Sequence, residues 1–356
     1  MAATAPMIPS NIADNSSVKT LAESSTLSSV PSHFAIANDS RASHCDSIPI
    51  IDFSLLVSDN PDHRAKGLRD LDNACREWGF FVLVNHGISE SLLKDIVDVS
   101  LEYFELPEED KRRYEANTVA DPITSGTGSV ITMANQKINL WRDFVTSYVH
   151  PKFHCPPKPH RLREVLVEYS EKTRSVVRKL LQAIGENLEL EKGYIDEALK
   201  LNSCYQLYAA HYYPPCPQPD QAMGIPTHTD HGLLTLVVHN GVAGLQIQHN
   251  GEWFNTNSPQ NSFLVNTADH LEIFSNGRYK SVTHRAVVNN EASRISVVMA
   301  NGSAPDAIVG PAEPLVERDG RAYYRPLKFL EYVENKRSYQ HLGKTILDSM
   351  KIQDDD

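Results

Sequence analysis

Pro226-Thr227-His228-Thr229-Asp230-His231-Gly232 runs into the apolar stretch Leu233–His239, and the pair His228 and Asp230 sets how the chain around it is read. In an extended strand, residues i and i+2 share a face. His228 and Asp230 are therefore expected to point one way, and Thr229 and His231 the other. A further candidate ligand, His284, stands in Ser281-Val282-Thr283-His284-Arg285 on a later strand, where antiparallel pairing would bring it opposite the first two. Two imidazoles and one carboxylate on one side of a metal leave three adjacent positions open. That suits a non-haem Fe(II) that must hold a chelating cosubstrate and O2 together, while zinc would accept the same ligands for hydrolysis. Arg294-Ile295-Ser296, ten residues past His284, separates the two chemistries. Arg294 and Ser296 share a strand face, and a planar guanidinium beside a hydroxyl matches a carboxylate bidentately. A dicarboxylate would then chelate iron at one end and be clamped at the other, a clamp for which a zinc hydrolase has no need.

Working outward, short β-rich runs recur after about Tyr205: Leu233–His239, Leu245–His249, Ser262–Asn266, Ser281–Val288 and Arg294–Met299. Asn250-Gly251 and Asn276-Gly277 read as tight hairpin turns. Many short strands at regular spacing predict a double-sheet jelly roll or a barrel. Upstream, Ile48–Phe53 and Gly79–Val84 read as strands. Asp62–Glu77, Ser89–Glu105 and Arg161–Leu190 read as helices, and Pro107-Glu108-Glu109-Asp110 opens another. The stripe Val176, Leu180, Ile184 and Leu188 is a core face at helical spacing. The class is mixed α/β with a mainly β core. The division expected is a loosely held arm over 1–45 with a short helical pattern at Val18–Ser24, a mixed helix and strand region over 46–200, the catalytic core over 201–305, and a C-terminal strand and helices over 306–356. The tail from Pro326 to Asp348 reads as helix covering the outside of the sheet. Ser125-Gly126-Thr127-Gly128-Ser129 lacks a following Gly-Lys-Ser/Thr and reads as a mobile loop, not a phosphate cradle.

Composition narrows the function classes. The 356 residues carry 45 acidic against 34 basic side chains, a net charge of −11, which argues against nucleic acid as a partner. No stretch approaches the roughly 18 apolar residues of a membrane span. Basic residues are scarce before Arg41 while Asp14, Glu23 and Asp39 are acidic, which argues against an organelle transit peptide. The five cysteines are scattered, with no Cys-x-x-Cys, so a reducing cytoplasm is the expected compartment. A monomer is the expected state.

With these residues in view, the sequence resembles the plant-type Fe(II)/2-oxoglutarate-dependent dioxygenases of specialised metabolism, over roughly Ile48 to Leu342. The resemblance is carried by Ile48-Pro-Ile-Ile-Asp-Phe53, Trp78-Gly-Phe-Phe81, Asn85-His-Gly87, Trp141-Arg142-Asp143, Tyr212-Tyr-Pro-Pro-Cys-Pro217, His228-Thr-Asp230, Asn266 to Asp269, Ser275-Asn-Gly277, His284-Arg285 and Arg294-Ile-Ser296. It implies a double-stranded β-helix core with flanking helices. It implies iron on His228, Asp230 and His284, with 2-oxoglutarate held by Arg294, Ser296 and the Tyr213 hydroxyl. The expected reaction is oxidation, in the usual outcome hydroxylation, of a small-molecule metabolite or hormone with O2, releasing succinate and CO2, and aided by ascorbate. The alternatives are an oxidase of the same family that does not use 2-oxoglutarate and a non-catalytic metal-dependent receptor. His211, where many relatives have Asn, Ala300, where many have a bulky Phe, and Met133 are the expected pocket residues. His86 reads as a structural turn residue, His231 as a non-ligand, and Trp141-Arg142-Asp143 as an ion-paired element near the pocket entrance.

Overall fold

Alternating apolar runs build two facing sheets, and runs with helical spacing build the helices laid against one of them. The structure is a computed structural model and describes residues 17–36, 42–44, 48–115, 121–131, 137–338 and 345–352. In chain order the strands are β1 (Ser43–His44), β2 (Ile50–Asp52), β3 (Phe80–Val84), β4 (Ile123–Ile131), β5 (Lys137–His150), β6 (Tyr205–Tyr213) and β7 (Ile225–His228). There follow β8 (Leu234–His239), β9 (Leu245–His249), β10 (Glu252–Asn255), β11 (Phe263–Thr267), β12 (His284–Ala286), β13 (Arg294–Gly302), β14 (Ile308–Val309) and β15 (Leu327–Lys328), the last two paired with each other. The major sheet runs β2-β3-β11-β8-β13-β6-β5-β4, and the minor sheet β1-β10-β9-β12-β7. Strands from both sides of residue 200 thus share one sheet. The α-helices are α1 (Val18–Ala22), α2 (Phe53–Leu56), α3 (Pro61–Asn73), α4 (Glu90–Phe104), α5 (Glu108–Arg112), α6 (His160–Asn187), α7 (Tyr194–Ala198), α8 (Asp269–Phe274), α9 (Glu313–Asp319), α10 (Phe329–Ser338) and α11 (Thr345–Met350).

The alternation within β8 shows how the layers form. Leu234, Leu236 and Val238 turn to the helical side, where they join Tyr208, Tyr212, Val297 and Met299 against Ile96, Val99 and Phe104 of α4 and Leu166, Tyr169 and Leu180 of α6. Val237 turns the other way and packs with Phe80, Val82 and Leu264 against Ile247 of the minor sheet. The space between the two sheets is the interior on which the site residues converge. The α6 stripe is core as its spacing predicts, with Leu180 and Ile184 fully buried, and truncating one such leucine to alanine costs about 2–5 kcal/mol. Asn60 caps α3 by accepting from the Asp62 and His63 amides, with Pro61 opening the helix.

Several expectations are corrected. Ser125–Ser129 is not a mobile loop but the middle of β4, paired with β5 through Ser125–Val145, Gly126–Phe144 and Thr127–Asp143. Residues 17–36 are not loosely held: Val18, Leu21 and Phe34 are buried against Trp141, Tyr213 and Val288. Asn250-Gly251 closes the β9–β10 hairpin with φ of 50° and 84°, but Asn276-Gly277 closes the turn after α8, where the Gly277 amide donates to the Glu272 carbonyl. The expected strand over Ser281–Val288 is regular only at His284–Ala286. The tail does not cover the outside of the sheet. Phe329 of α10 sits at the end of the interior, on Tyr205, His231 and His270.

Candidate active site

β7 ends on His228, and antiparallel pairing with β12 sets His284 directly opposite it. Asp230 lies two residues beyond, in the loop that leaves the strand and not on the strand itself, so its convergence on the histidines is made by that loop's anchors. The Asp230 carbonyl accepts from the Asp269 amide at 2.9 Å, and the Thr229 hydroxyl turns away to donate to Asp269 Oδ2 at 3.1 Å. Gly232 makes the close approach possible, since a Cβ there would collide with the Asn301 carbonyl. The ligand atoms of His228, Asp230 and His284 all lie within 4.8 Å of one another. His228 Nε2 is 3.7 Å and His284 Nε2 3.6 Å from Asp230 Oδ1.

The tautomers follow from the partners behind each ring. His228 Nδ1 donates to the Pro226 carbonyl at 2.8 Å and His284 Nδ1 to the Val282 carbonyl at 3.0 Å, so both Nε2 lone pairs face the shared space. Asn266 Nδ2 donates to Asp230 Oδ2 at 2.9 Å and fixes the carboxylate. Burial by itself would push the Asp230 carboxyl up, but the positive charge that His284 and His228 carry when protonated, with hydrogen bonds from Asn266 and Thr235, holds it below the usual carboxylate range. Two imidazole lone pairs and an ionised carboxylate, oriented before any ion arrives, fit a divalent iron. His231 is turned away, as expected, with Nε2 3.2 Å from the Tyr205 hydroxyl. His86 is also a turn residue, accepting from the Ile88 amide through Nδ1.

The second half of the site is built on three adjacent strands. Arg294 pairs with Tyr213, and Ser296 pairs with His211 on one side and His239 on the other. Arg294 is 3% exposed, and its Nε and Nη1 are buried without a hydrogen-bond partner. Its guanidinium lies 5.3 Å over the Tyr213 ring. Burial pulls its pKa down, and Tyr213 opposes that. A buried cation with two orphaned donors is costly until an anion fills it, and the planar fork selects a carboxylate. The donor set therefore fits the far carboxylate of 2-oxoglutarate. Ala300 pairs with Leu207 and Thr235 on the same face of β13 as Arg294 and Ser296. His211 is buried, and burial together with Arg142 and Arg294 pushes its imidazole well below the ordinary value. Met133 lies outside the described residues. In the sequence Asn266 stands only within the motif run Asn266 to Asp269, and Arg142 only within an element expected to be ion-paired near the pocket entrance. Trp141-Arg142-Asp143 is not ion-paired within itself: Asp143 accepts from the Val18 and Lys19 amides at 2.9 and 2.8 Å and from Thr127 at 2.8 Å.

The chain matches the family model of the 2OG-Fe(II) oxygenase superfamily over residues 204–302 and that of the non-haem dioxygenase in morphine synthesis N-terminal region over 48–167. It is 42% identical over 331 residues to 2-oxoglutarate-dependent dioxygenase 19 of Oryza sativa subsp. japonica, covering 91% of this chain and 97% of the relative. The chain belongs to the 2OG-Fe(II) oxygenase superfamily. Its similarity to Protein DMR6-LIKE OXYGENASE 2 of Arabidopsis thaliana is 35% identity over 86% of this chain and 88% of the relative. Among solved structures, JOX2 in complex with 2OG, Fe and JA superposes with a TM-score of 0.81 at 28% identity, covering 95% of this chain and 98% of that one. The two facing sheets are the double-stranded β-helix of this superfamily. As a 2OG-Fe(II) oxygenase, the protein is an oxidoreductase that uses Fe(II), 2-oxoglutarate and O2 to oxidise a small molecule.

Proposed function

We propose that His228, Asp230 and His284 hold the Fe(II), that Arg294, Ser296 and the Tyr213 hydroxyl bind the far carboxylate of 2-oxoglutarate, and that the substrate is a small specialised metabolite or hormone, which is hydroxylated. The observation that carries this reading is the buried Arg294, with Nε and Nη1 unpartnered, facing the same interior as the three clustered ligands. When bound, Fe(II) supplies O2 activation coupled to the decarboxylation of 2-oxoglutarate to succinate and CO2. The residues of the chain supply position and charge. Asn266 keeps Asp230 from rotating, the Pro226 and Val282 carbonyls keep both imidazoles in the ligating tautomer, and Arg294 fixes how far the cosubstrate reaches in. His211 and Ala300, on the interior face beside Ser296 and Thr235, line the substrate side in this reading. A monomer in the cytoplasm completes the proposal. A net charge of −11, which keeps copies of a chain apart, is in line with the monomer; no helix among the described residues is long and apolar enough to cross a membrane.

The test is CO2 release from labelled 2-oxoglutarate with added Fe(II) and ascorbate, alongside a metabolite extract screened for mass gains of one oxygen. Release that depends on Fe(II), and that disappears in Asp230→Ala, is the expected result. Absence of release with every fraction of the extract would overturn the assignment of the site.

A further inference from the structure

Arg142 is a second cation on the interior face, beside the proposed clamp of the cosubstrate. In β5 it stands one residue from Asp143, which pairs with Tyr212, so Arg142 comes level with Tyr213, and Tyr213 in turn pairs with Arg294. Arg142, Tyr213 and Arg294 thus sit side by side on three adjacent strands, and the Tyr213 phenol interacts with both guanidinia. The next row holds Phe144, His211 and Ser296. Arg142 lies 5.4 Å over the Phe144 ring, and its other flank is against Gly128, where a Cβ would come within 2.7 Å of Nη2. Its Nη1 is 3.3 Å from His211 Nδ1. Arginine has only donors, so His211 Nδ1 accepts, and the neutral ring carries its proton on Nε2 as a further donor into the interior. Arg142 Nε is buried with no partner. Asp143, the adjacent carboxylate, is held on the opposite face by the Val18 and Lys19 amides and Thr127.

Among the described residues no carboxylate hydrogen-bonds Arg142: Asp143 is turned to the other face, and Arg142 Nε is buried without a partner. A donor left open in this way is completed by an acceptor, and a guanidinium favours an anionic one. We propose that Arg142, flanked by the His211 and Tyr213 side chains, anchors a carboxylate or similar monoanionic group on the substrate, so that the enzyme acts on acidic small molecules. This rests on the assignment of Arg294 to 2-oxoglutarate given above.

The test uses the full-length protein loaded with Mn(II), which does not turn over, and saturated with 2-oxoglutarate. Benzoic, phenylacetic, cinnamic and octanoic acids are each titrated beside their methyl esters by ligand-observed NMR. At least one acid is expected to bind tenfold or more tightly than its ester, with the preference lost in Arg142→Gln, partly kept in Arg142→Lys, and the 2-oxoglutarate Kd unchanged in both. Equal binding of acids and esters, or binding of none of the acids, overturns the proposal, and this comparison needs only the unmutated protein. A 2-oxoglutarate Kd that rises in Arg142→Gln as it does in Arg294→Gln also overturns it, because Arg142 would then serve the cosubstrate. Failure of the underlying assignment is separately visible, as absence of 2-oxoglutarate binding to the Mn(II)-loaded wild type.

Discussion

A ligand set of three side chains works only if each is held still, and the holders are as specific as the ligands. Asn266 donates to the one Asp230 oxygen that faces away from both histidines. Removing such a partner typically costs 10–100-fold in metal affinity, so Asn266→Ala is expected to weaken Fe(II) or Mn(II) binding by that factor in a direct titration. Asp230→Ala should abolish tight binding, while His231→Ala, whose ring faces Tyr205, should leave it unchanged. A tight Asp230→Ala centre together with a metal-free His231→Ala would reverse the assignment. The same logic applies at the other end of the cosubstrate. Arg294→Lys keeps the charge but loses the planar fork, so KM for 2-oxoglutarate should rise by the equivalent of about 1–3 kcal/mol, and an unchanged KM would remove Arg294 from the clamp. These candidate ligands stand out in the sequence because metal and carboxylate chemistry restricts the residue types. Asn266 has no role of its own in the sequence and Arg142 reads only as part of an ion-paired element, because an amide or a guanidinium in a strand has many uses, and only the register shows which interior each one faces.

Among the elements, legibility followed periodicity. The α6 stripe and the alternation in β8 and β13 mark which side is buried, so these elements fall where their patterns place them. The Gly-rich Ser125–Ser129 reads as a loop because local composition carries no trace of its partner. What makes it a strand is the ladder to β5 and the Thr127 bond to Asp143. The amino-terminal segment reads as a loose arm for a similar reason, since α1 is only five residues long and is stabilised almost wholly from outside. Asp143 takes up its Val18 and Lys19 amides, and Val18 packs against Trp141 and Tyr213. Bonds to a charged group contribute about 1.5–3 kcal/mol each, so Asp143→Ala should release this segment. Faster proteolysis before residue 36 and a lower melting temperature are the expected outcomes, and a digestion pattern identical to wild type would count against the role of Asp143. If Ala300 lines the substrate pocket as proposed, Ala300→Phe adds a ring to it next to Thr235 and Leu207. Overpacking costs about 1–3 kcal/mol. Substrate oxidation should therefore fall by one to two orders of magnitude while KM for 2-oxoglutarate stays put, because Arg294 and Ser296 lie further along the strand. Equal turnover by both forms would remove position 300 from the pocket.

At the scale of the whole molecule, the junction around α8 ties the metal loop to the C-terminal segment. Asp269 receives Thr229 from the loop, Ser281 from the approach to β12 and the Tyr332 hydroxyl from α10. His270, the next residue, is fully buried, with Nδ1 3.0 Å from the Ser303 hydroxyl and its ring stacked on Phe329. Burial pushes its imidazole down from 6.5 to about 3. In the unfolded chain the ring takes up its proton near pH 6.5, whereas the folded protein resists until about pH 3. On acidification the unfolded state therefore gains the proton first. Stability is unaffected by this group above pH 6.5 and falls below it at about 1.4 kcal/mol per pH unit. His239, held at about 4 by burial and Arg294, acts in the same direction. Between pH 7 and pH 5, His270 should thus account for about 2 kcal/mol of lost stability. Urea unfolding of wild type and His270→Gln at the two pH values reads this directly. Gln does not titrate, so whatever its effect on packing at pH 7, the difference between the two pH values should shrink by about 2 kcal/mol relative to wild type. An unchanged difference would mean that the imidazole is charged or solvated at the junction, and that the α8 contact with the C-terminal segment is looser than the burial of His270 describes.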